Sequence, residues 1–276
     1  MKTILIPVDF STTSKNAIDF AANLTLDVEV DRILLLKSFN TNFYAELLPS
    51  PDYIQITTEQ INEERRTAIE QLKSLGKELQ DKCSPTVKVE TAISDQSLLR
   101  SLRQIIKDQK PDLLIVGSDD ILTQTYIGEQ VTAIVRTTTI PTLIVPQNFK
   151  YKKVEKALIP CDFKVLSRLD CLKNVTGLLD WLKPELSILN VDPKLDQLAH
   201  EEDVDILKEF LQGYHFKVYY SENPSIATGI IEFTKQNEVQ LMIALPGKYS
   251  FFYQFTHNSI TEAITLNSSL PVLILK

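Results

Sequence analysis

The side chains with chemistry to offer sit in loops that follow apolar runs. Ile4-Leu5-Ile6-Pro7-Val8-Asp9-Phe10-Ser11 recurs as Ala157-Leu158-Ile159-Pro160-Cys161-Asp162-Phe163, so Asp9 and Asp162 each stand two residues past a proline. Each run reads as a buried parallel strand whose end hands a carboxylate to a loop. Two more loops follow apolar runs: Gly117-Ser118-Asp119-Asp120 after Leu113 to Val116, and Pro246-Gly247-Lys248 after Gln240 to Leu245. Carboxylates, glycines and one lysine in such places are binding chemistry. Turnover reads poorly. His200, His215 and His257 have no paired metal spacing, and neither a G-x-S-x-G elbow nor a G-x4-G-K-[ST] loop occurs. No general base stands out.

The elements that must position these residues alternate between strand and helix. Ser11 is an N-cap for a helix with Ala17, Ile18, Phe20, Ala21 and Leu24 on one face. Ile33 to Leu36 is a second strand, and residues 39–57, with Pro49 and Pro51, are a long loop. A charged helix from Thr58 to about Cys83, a strand over 86–93, a helix over 95–109, a strand from Pro111 to Val116, a helix over 128–138 and a strand at Pro141 follow. Strand and helix alternation predicts parallel sheets with helices on both faces.

The order then repeats. Ile140-Pro141-Thr142-Leu143-Ile144-Val145 closes the first half as Leu270-Pro271-Val272-Leu273-Ile274-Leu275 closes the second. The chain divides into a domain at 1–146, a polar linker at 147–153 and a shorter domain at 154–276. A length of 276 residues suits two α/β domains that each bury a core. A net charge of −7 without a sustained basic block argues against a general affinity for nucleic acid or anionic membrane. The opening Met1-Lys2-Thr3 leads straight into a strand and no apolar run approaches the ~20 residues of a membrane span, so the cytoplasm is the expected location. Cys83, Cys161 and Cys171, odd in number and without CxxC spacing, read as reduced and buried.

In open doubly wound sheets ligands sit beyond the strand ends where the winding reverses, which selects the loops after the first and fourth strands. Here the chain resembles the universal stress protein family in its tandem form. The resemblance rests on the Pro-x-Asp-Phe-Ser opening, Gly117 after the fourth strand, Gly128 opening the next helix, and the Ile-Pro-x-Leu closing strand. It implies two Rossmann-like domains of the adenine nucleotide α-hydrolase type, each a five-stranded parallel sheet, paired through their closing strands as an intramolecular pseudo-dimer. Further homo-oligomers are open.

The resemblance also implies a nucleotide site. In the first domain it draws on Pro7, Val8, Asp9, Ser38, Gly117 and Gly128, with Asp9 at the adenine and ribose end, Ser38 flanking the base, and the glycines admitting backbone N–H groups to phosphates. The family's G-x2-G-x9-G-[ST] motif is altered: Asp120 replaces the second glycine, Gly128 comes early, and Glu129 replaces the closing hydroxyl residue. At an effective dielectric of ~20, two charges about 5 Å apart interact by roughly 3 kcal/mol. Asp119, Asp120 and Glu129 therefore oppose a triphosphate unless a divalent cation such as Mg²⁺ bridges them. The second domain offers Asp162, Val191 against a base, Gly247, Lys248 facing an anion, Asn258 in a glycine's place, and Ser259 at the helix start.

Two functions compete. One is regulatory binding of ATP, another adenine nucleotide or a small anion, with at most slow metal-dependent hydrolysis. The other is a ligand-independent interaction module that uses the aromatic segment 249–255, which either folds over the pocket or meets a protein partner. An ATP pyrophosphatase reading lacks the Ser-Gly-Gly-x-Asp-Ser type loop it requires.

Overall fold

The computed structural model describes residues 2–40, 57–119, 126–161, 180–192, 201–244 and 270–276. In chain order they form β1 (Thr3–Pro7), α1 (Thr12–Asp27), β2 (Arg32–Ser38), α2 (Thr58–Lys82), β3 (Lys88–Ser94), α3 (Leu98–Gln109), β4 (Leu113–Ser118), α4 (Tyr126–Thr137) and β5 (Thr142–Pro146). Then come β6 (Lys156–Pro160), β7 (Glu185–Val191), α5 (Glu201–Phe210), β8 (Phe216–Ser221), α6 (Ile226–Gln236), β9 (Leu241–Ala244) and β10 (Val272–Ile274). Local chemistry sets the helix ends. The Ser11 hydroxyl accepts the Ser14 amide at 3.1 Å to start α1, and α2 opens with a reciprocal capping box between Thr57 and Gln60. In α3, buried Leu98, Leu102 and Ile106 alternate with exposed Arg100, Arg103 and Lys107, and Lys110 closes the helix at φ +46°.

The strands join in one ten-stranded sheet, in the order β3-β2-β1-β4-β5-β10-β9-β6-β7-β8. Every pairing is parallel except β5 with β10, where Val272 faces Ile144 and Ile274 faces Thr142. The winding direction reverses on either side of β1 and again on either side of β6. The two halves of the sheet share hydrogen bonds at matching places. Asp112 N donates to Thr3 O at 2.9 Å as Gln240 N donates to Lys156 O at 3.1 Å, and Leu114 N donates to Pro141 O as Met242 N does to Pro271 O, both at 3.0 Å.

Successive residues of β1 face opposite sides, as the strand period requires. Ile4 and Ile6 enter a core under α1 and α2, whereas Leu5 enters one under α3 and α4. The first of these cores runs on beneath the whole sheet, through Leu143 and Leu273 to Leu241, Ala157 and Ile188. The segment 147–153 is docked rather than free. Phe149 and Tyr151 pack on Phe20 with ring centroids 6.2 and 5.0 Å away, and the Asn16 side-chain amide donates to Pro146 O and Phe149 O. The Tyr151 hydroxyl donates to Asp27 at 2.6 Å, and burial with the adjacent carboxylate pushes its pKa far up.

Candidate functional site

The reversal point beside β1 gathers the first group of residues. Val8 N still donates to Leu36 O at 2.8 Å, which carries the parallel ladder one residue past Pro7. The chain then turns sharply at Phe10, whose φ of +68° lies in the left-handed region. For a bulky residue that conformation costs roughly 1–2 kcal/mol, so something local must offset it. The turn lets Asp9 Oδ1 accept both the Ser11 amide at 2.9 Å and the Ser11 hydroxyl at 2.6 Å. Asp9 is thus fixed at the N-terminus of α1, where the helix dipole favours a carboxylate.

Directly beside it, at the end of β2, stands Lys37. Its ammonium lies 5.0 Å from the Phe10 ring centroid, a cation–π distance that helps hold the turn. Burial lowers the Lys37 pKa below the ordinary lysine value, with the Asp9 charge pulling it back up. No carboxylate forms an ion pair with Lys37 among the described residues. Sequence reasoning missed this residue. Its signal was position alone, the first polar residue after the apolar run of β2 at a reversal point.

Ser38 follows, but its hydroxyl is committed, donating to Gln96 O at 2.6 Å. Phe10, Lys37, Ser38, Phe39 and Asn40 line one side of a cleft of about 590 Å³, and Glu63, Glu64, Thr67, Ala68 and Gln71 of α2 line the other.

The end of β4 is differently engaged. Gly117 lies within the strand opposite Val145, and a Cβ built there would come within 2.5 Å of the Thr13 backbone oxygen and Cγ2. Its missing side chain is therefore accounted for by the close approach of α1. The Thr13 hydroxyl donates to Asp119 Oδ1, which ties that carboxylate to the first turn of α1. Gly128 falls in the first turn of α4, while Asp120 lies outside the described residues. Among the described residues no group of three His, Cys, Asp or Glu side chains comes together as a metal site, and no helix is long and apolar enough to cross a membrane.

With that geometry in place, comparison with known proteins is decisive on ancestry. The model of the Universal stress protein family matches residues 1–146, more than half of the chain. The chain belongs to the universal stress protein family. Among solved structures, a universal stress protein from Archaeoglobus fulgidus is similar over 99% of this chain and 96% of its own, at 16% identity and a TM-score of 0.65. A putative universal stress protein from Pseudomonas aeruginosa is similar over 100% and 93%, at 12% identity and 0.52. At such identities the likeness shows the fold alone. No curated protein matches the chain in sequence.

Within this universal stress fold, the predicted residues separate into three groups. Pro7, Val8, Asp9 and Ser38 come together at the ends of β1 and β2, and Gly117 joins them from β4 on the far side of β1. In the second half, Cys161 N donates to Leu189 O at 2.9 Å as Val8 N does to Leu36 O, and Val191 ends β7 packed against Gly229 of α6. Asp162, Gly247, Lys248, Asn258, Ser259 and the aromatic segment 249–255 lie outside the described residues.

Proposed function

We propose that this universal stress protein acts by regulatory binding of an adenine nucleotide or another small anion, not by efficient turnover. The observation that carries the reading is the meeting of Asp9 with a half-buried Lys37 that forms no ion pair among the described residues, at the reversal point of the first-half sheet. Buried charges ordinarily find a partner, and a bound anion supplies one. A triphosphate fits this place poorly. Lys37 faces Asp9 across the turn, shares its cleft with Glu63 and Glu64, and has Asp119 beyond β1. A mononucleotide, or ATP with its charge covered by Mg²⁺, meets less opposition.

The tandem arrangement belongs to the same proposal. Domains at 1–146 and 154–276, joined by 147–153, form an intramolecular pair, a reading supported by the antiparallel β5–β10 joint and the recurring hydrogen bonds. Such pairing covers two sheet edges at once.

Thermal unfolding with and without AMP, ADP and ATP, each with and without Mg²⁺, tests the proposal. A ligand at a hundredfold excess over Kd stabilises the native state by about 2.7 kcal/mol. A shift removed by Lys37→Met assigns the site to the first half, and one removed by Ser259→Ala assigns it to the second. No shift at millimolar nucleotide contradicts the reading.

One set of observations favours the alternative, a ligand-independent interaction module. The Ser38 hydroxyl, Asp119 and the face of Gly117 are all engaged by the protein itself. Under that reading nucleotides change nothing, whereas replacing Phe251 and Phe252 with Ser weakens self-association or partner capture.

A further inference from the structure

The sheet ends in two edge strands, β3 and β8, and the fold treats them differently. In a parallel ladder alternate residues bond a given neighbour. The even-numbered residues of β3 bond β2, since Lys88 N donates to Asp31 O and Ser94 O accepts Phe39 N, so the backbone of Val87 and Val89 faces outward. Gln80 of α2 closes that edge with its side-chain amide, donating Nε2 to Val87 O at 2.8 Å and accepting Val89 N at 2.9 Å. A bare edge invites another strand, and such a clip blunts it.

The second half lacks the clip. Leu79 and Leu207 take matching places at helix ends, each accepting an amide four residues on, from Cys83 at 3.0 Å and from Leu211 at 2.9 Å. The next residue is Gln80 in one half and Lys208 in the other, and the exposed Lys208 ammonium pairs with Asp205 at 2.8 Å. In β8 the odd-numbered residues bond β7, as His215 O accepts Leu186 N and Ser221 O accepts Asp192 N, so the backbone of Phe216 and Val218 faces outward. No strand or side chain among the described residues bonds those outward groups. Tyr220, which lies on the same edge, is one of two exposed large apolar residues among the described ones.

We propose that β8 is a self-association edge, on which a second copy of this chain adds its own β8 antiparallel across a two-fold axis. The chain already joins two edges in this manner at β5 and β10. Self-complementarity selects the occupant. With Val218 on the axis facing Val218 of the second copy, Phe216 faces Tyr220, and Lys217 faces Tyr219 rather than another lysine. Direct opposition of like charges is thereby avoided, and Lys217 keeps Glu185 at 2.7 Å within its own chain. The joint consumes the β8 edge of both copies while Gln80 guards β3, so assembly closes at two chains. The inference is independent of the nucleotide reading, and its surface is β8 rather than the aromatic segment 249–255.

Sedimentation of the full chain over a concentration series tests it. The expected species at submillimolar concentration has twice the 31.4 kDa of one chain. Val218→Pro removes an outward N–H and spares the ladder to β7, and should weaken dimerisation at least tenfold. Val218→Lys and Val218→Glu each set like charges against one another on the axis and should do the same, whereas an equimolar mixture of the two should restore the dimer. Comparing the mixture with its own components keeps a general loss of stability from imitating that rescue. A single-chain mass throughout the series overturns the proposal, as does growth beyond two chains or a mixture no more associated than its components. Association lost on replacing Phe251 and Phe252 with Ser but untouched by all three Val218 substitutions also overturns it.

Discussion

The ends of β1 and β2 in the first half, and of β6 and β7 in the second, share one backbone frame and differ in what they do with charge. Leu36 and Leu189 take equivalent places, each accepting the amide of the residue after a strand-ending proline. The next residue is Lys37 in one half and Asn190 in the other. Asn190 is only 4% exposed, and its side-chain amide donates to Cys161 O at 3.2 Å. Among the described residues Lys37 makes no hydrogen bond or ion pair of that kind and meets only the Phe10 ring and the Asp9 charge. Repeating a backbone therefore does not repeat a site. The frame comes from strand pairing, and among the described residues the side chain after the shared leucine differs in how it handles charge.

The comparison breaks most severely at Gly117. A Val there would drive Cβ against the Thr13 backbone, which α1 cannot yield without moving the turn that holds Asp9. Gly117→Val should cost about 3 kcal/mol, read as a lowered urea midpoint with an unchanged slope. Next in size is Asn190→Leu, which keeps the branched heavy-atom skeleton but removes the amide that donates to Cys161 O. A loss of about 1–2 kcal/mol is expected in the same assay. The second-half glycine contrasts with the first. At Gly229 a Cβ would meet side chains, Val191 Cγ1 at 2.9 Å and Asn223 Cβ at 3.1 Å. Alanine gains about 1 kcal/mol of helix propensity against that crowding, so Gly229→Ala should leave stability within about 1 kcal/mol of the parent.

The smallest effect sharpens the comparison through pH. Burial lowers the folded-state pKa of Lys37 below its ordinary 10.5, so the unfolded chain binds more protons between those two values. The cost of the buried ammonium is present in full below the folded pKa and is relieved as pH rises toward 10.5. Asp9 attracts the ammonium, and Glu63 and Glu64 share its cleft, so the net cost is modest. Lys37→Met should accordingly raise the urea midpoint slightly at pH 7, with the gain shrinking by pH 10. A gain that grows with pH would mean that Lys37 is stabilised by its surroundings.

Much of this was legible in the sequence because it is local or periodic. The apolar runs at Ile4 and Ala157 became β1 and β6, and Ser11 caps α1 as its type and place suggest. The closing stretches at Pro141 and Pro271 led to the strands that meet as β5 and β10. What stayed hidden depends on contacts distant in sequence. Asp119 is tied to Thr13 from 106 residues away, and Gly117 is needed because α1 presses on β4. Ser38 loses its hydroxyl to Gln96 across the β2–β3 edge. The polar stretch 147–153 conceals that Phe149 and Tyr151 anchor it on Phe20. Lys37 escaped notice because a lone lysine after an apolar run ordinarily reads as solvated.

The most direct test of a ligand at the first frame rather than the second is hydrogen exchange, followed peptide by peptide with and without AMP. Protection should appear over residues 8–16 and 36–40 and be absent over 189–192. Protection over 189–192 with none over 36–40 would contradict the account and move the ligand to the second half.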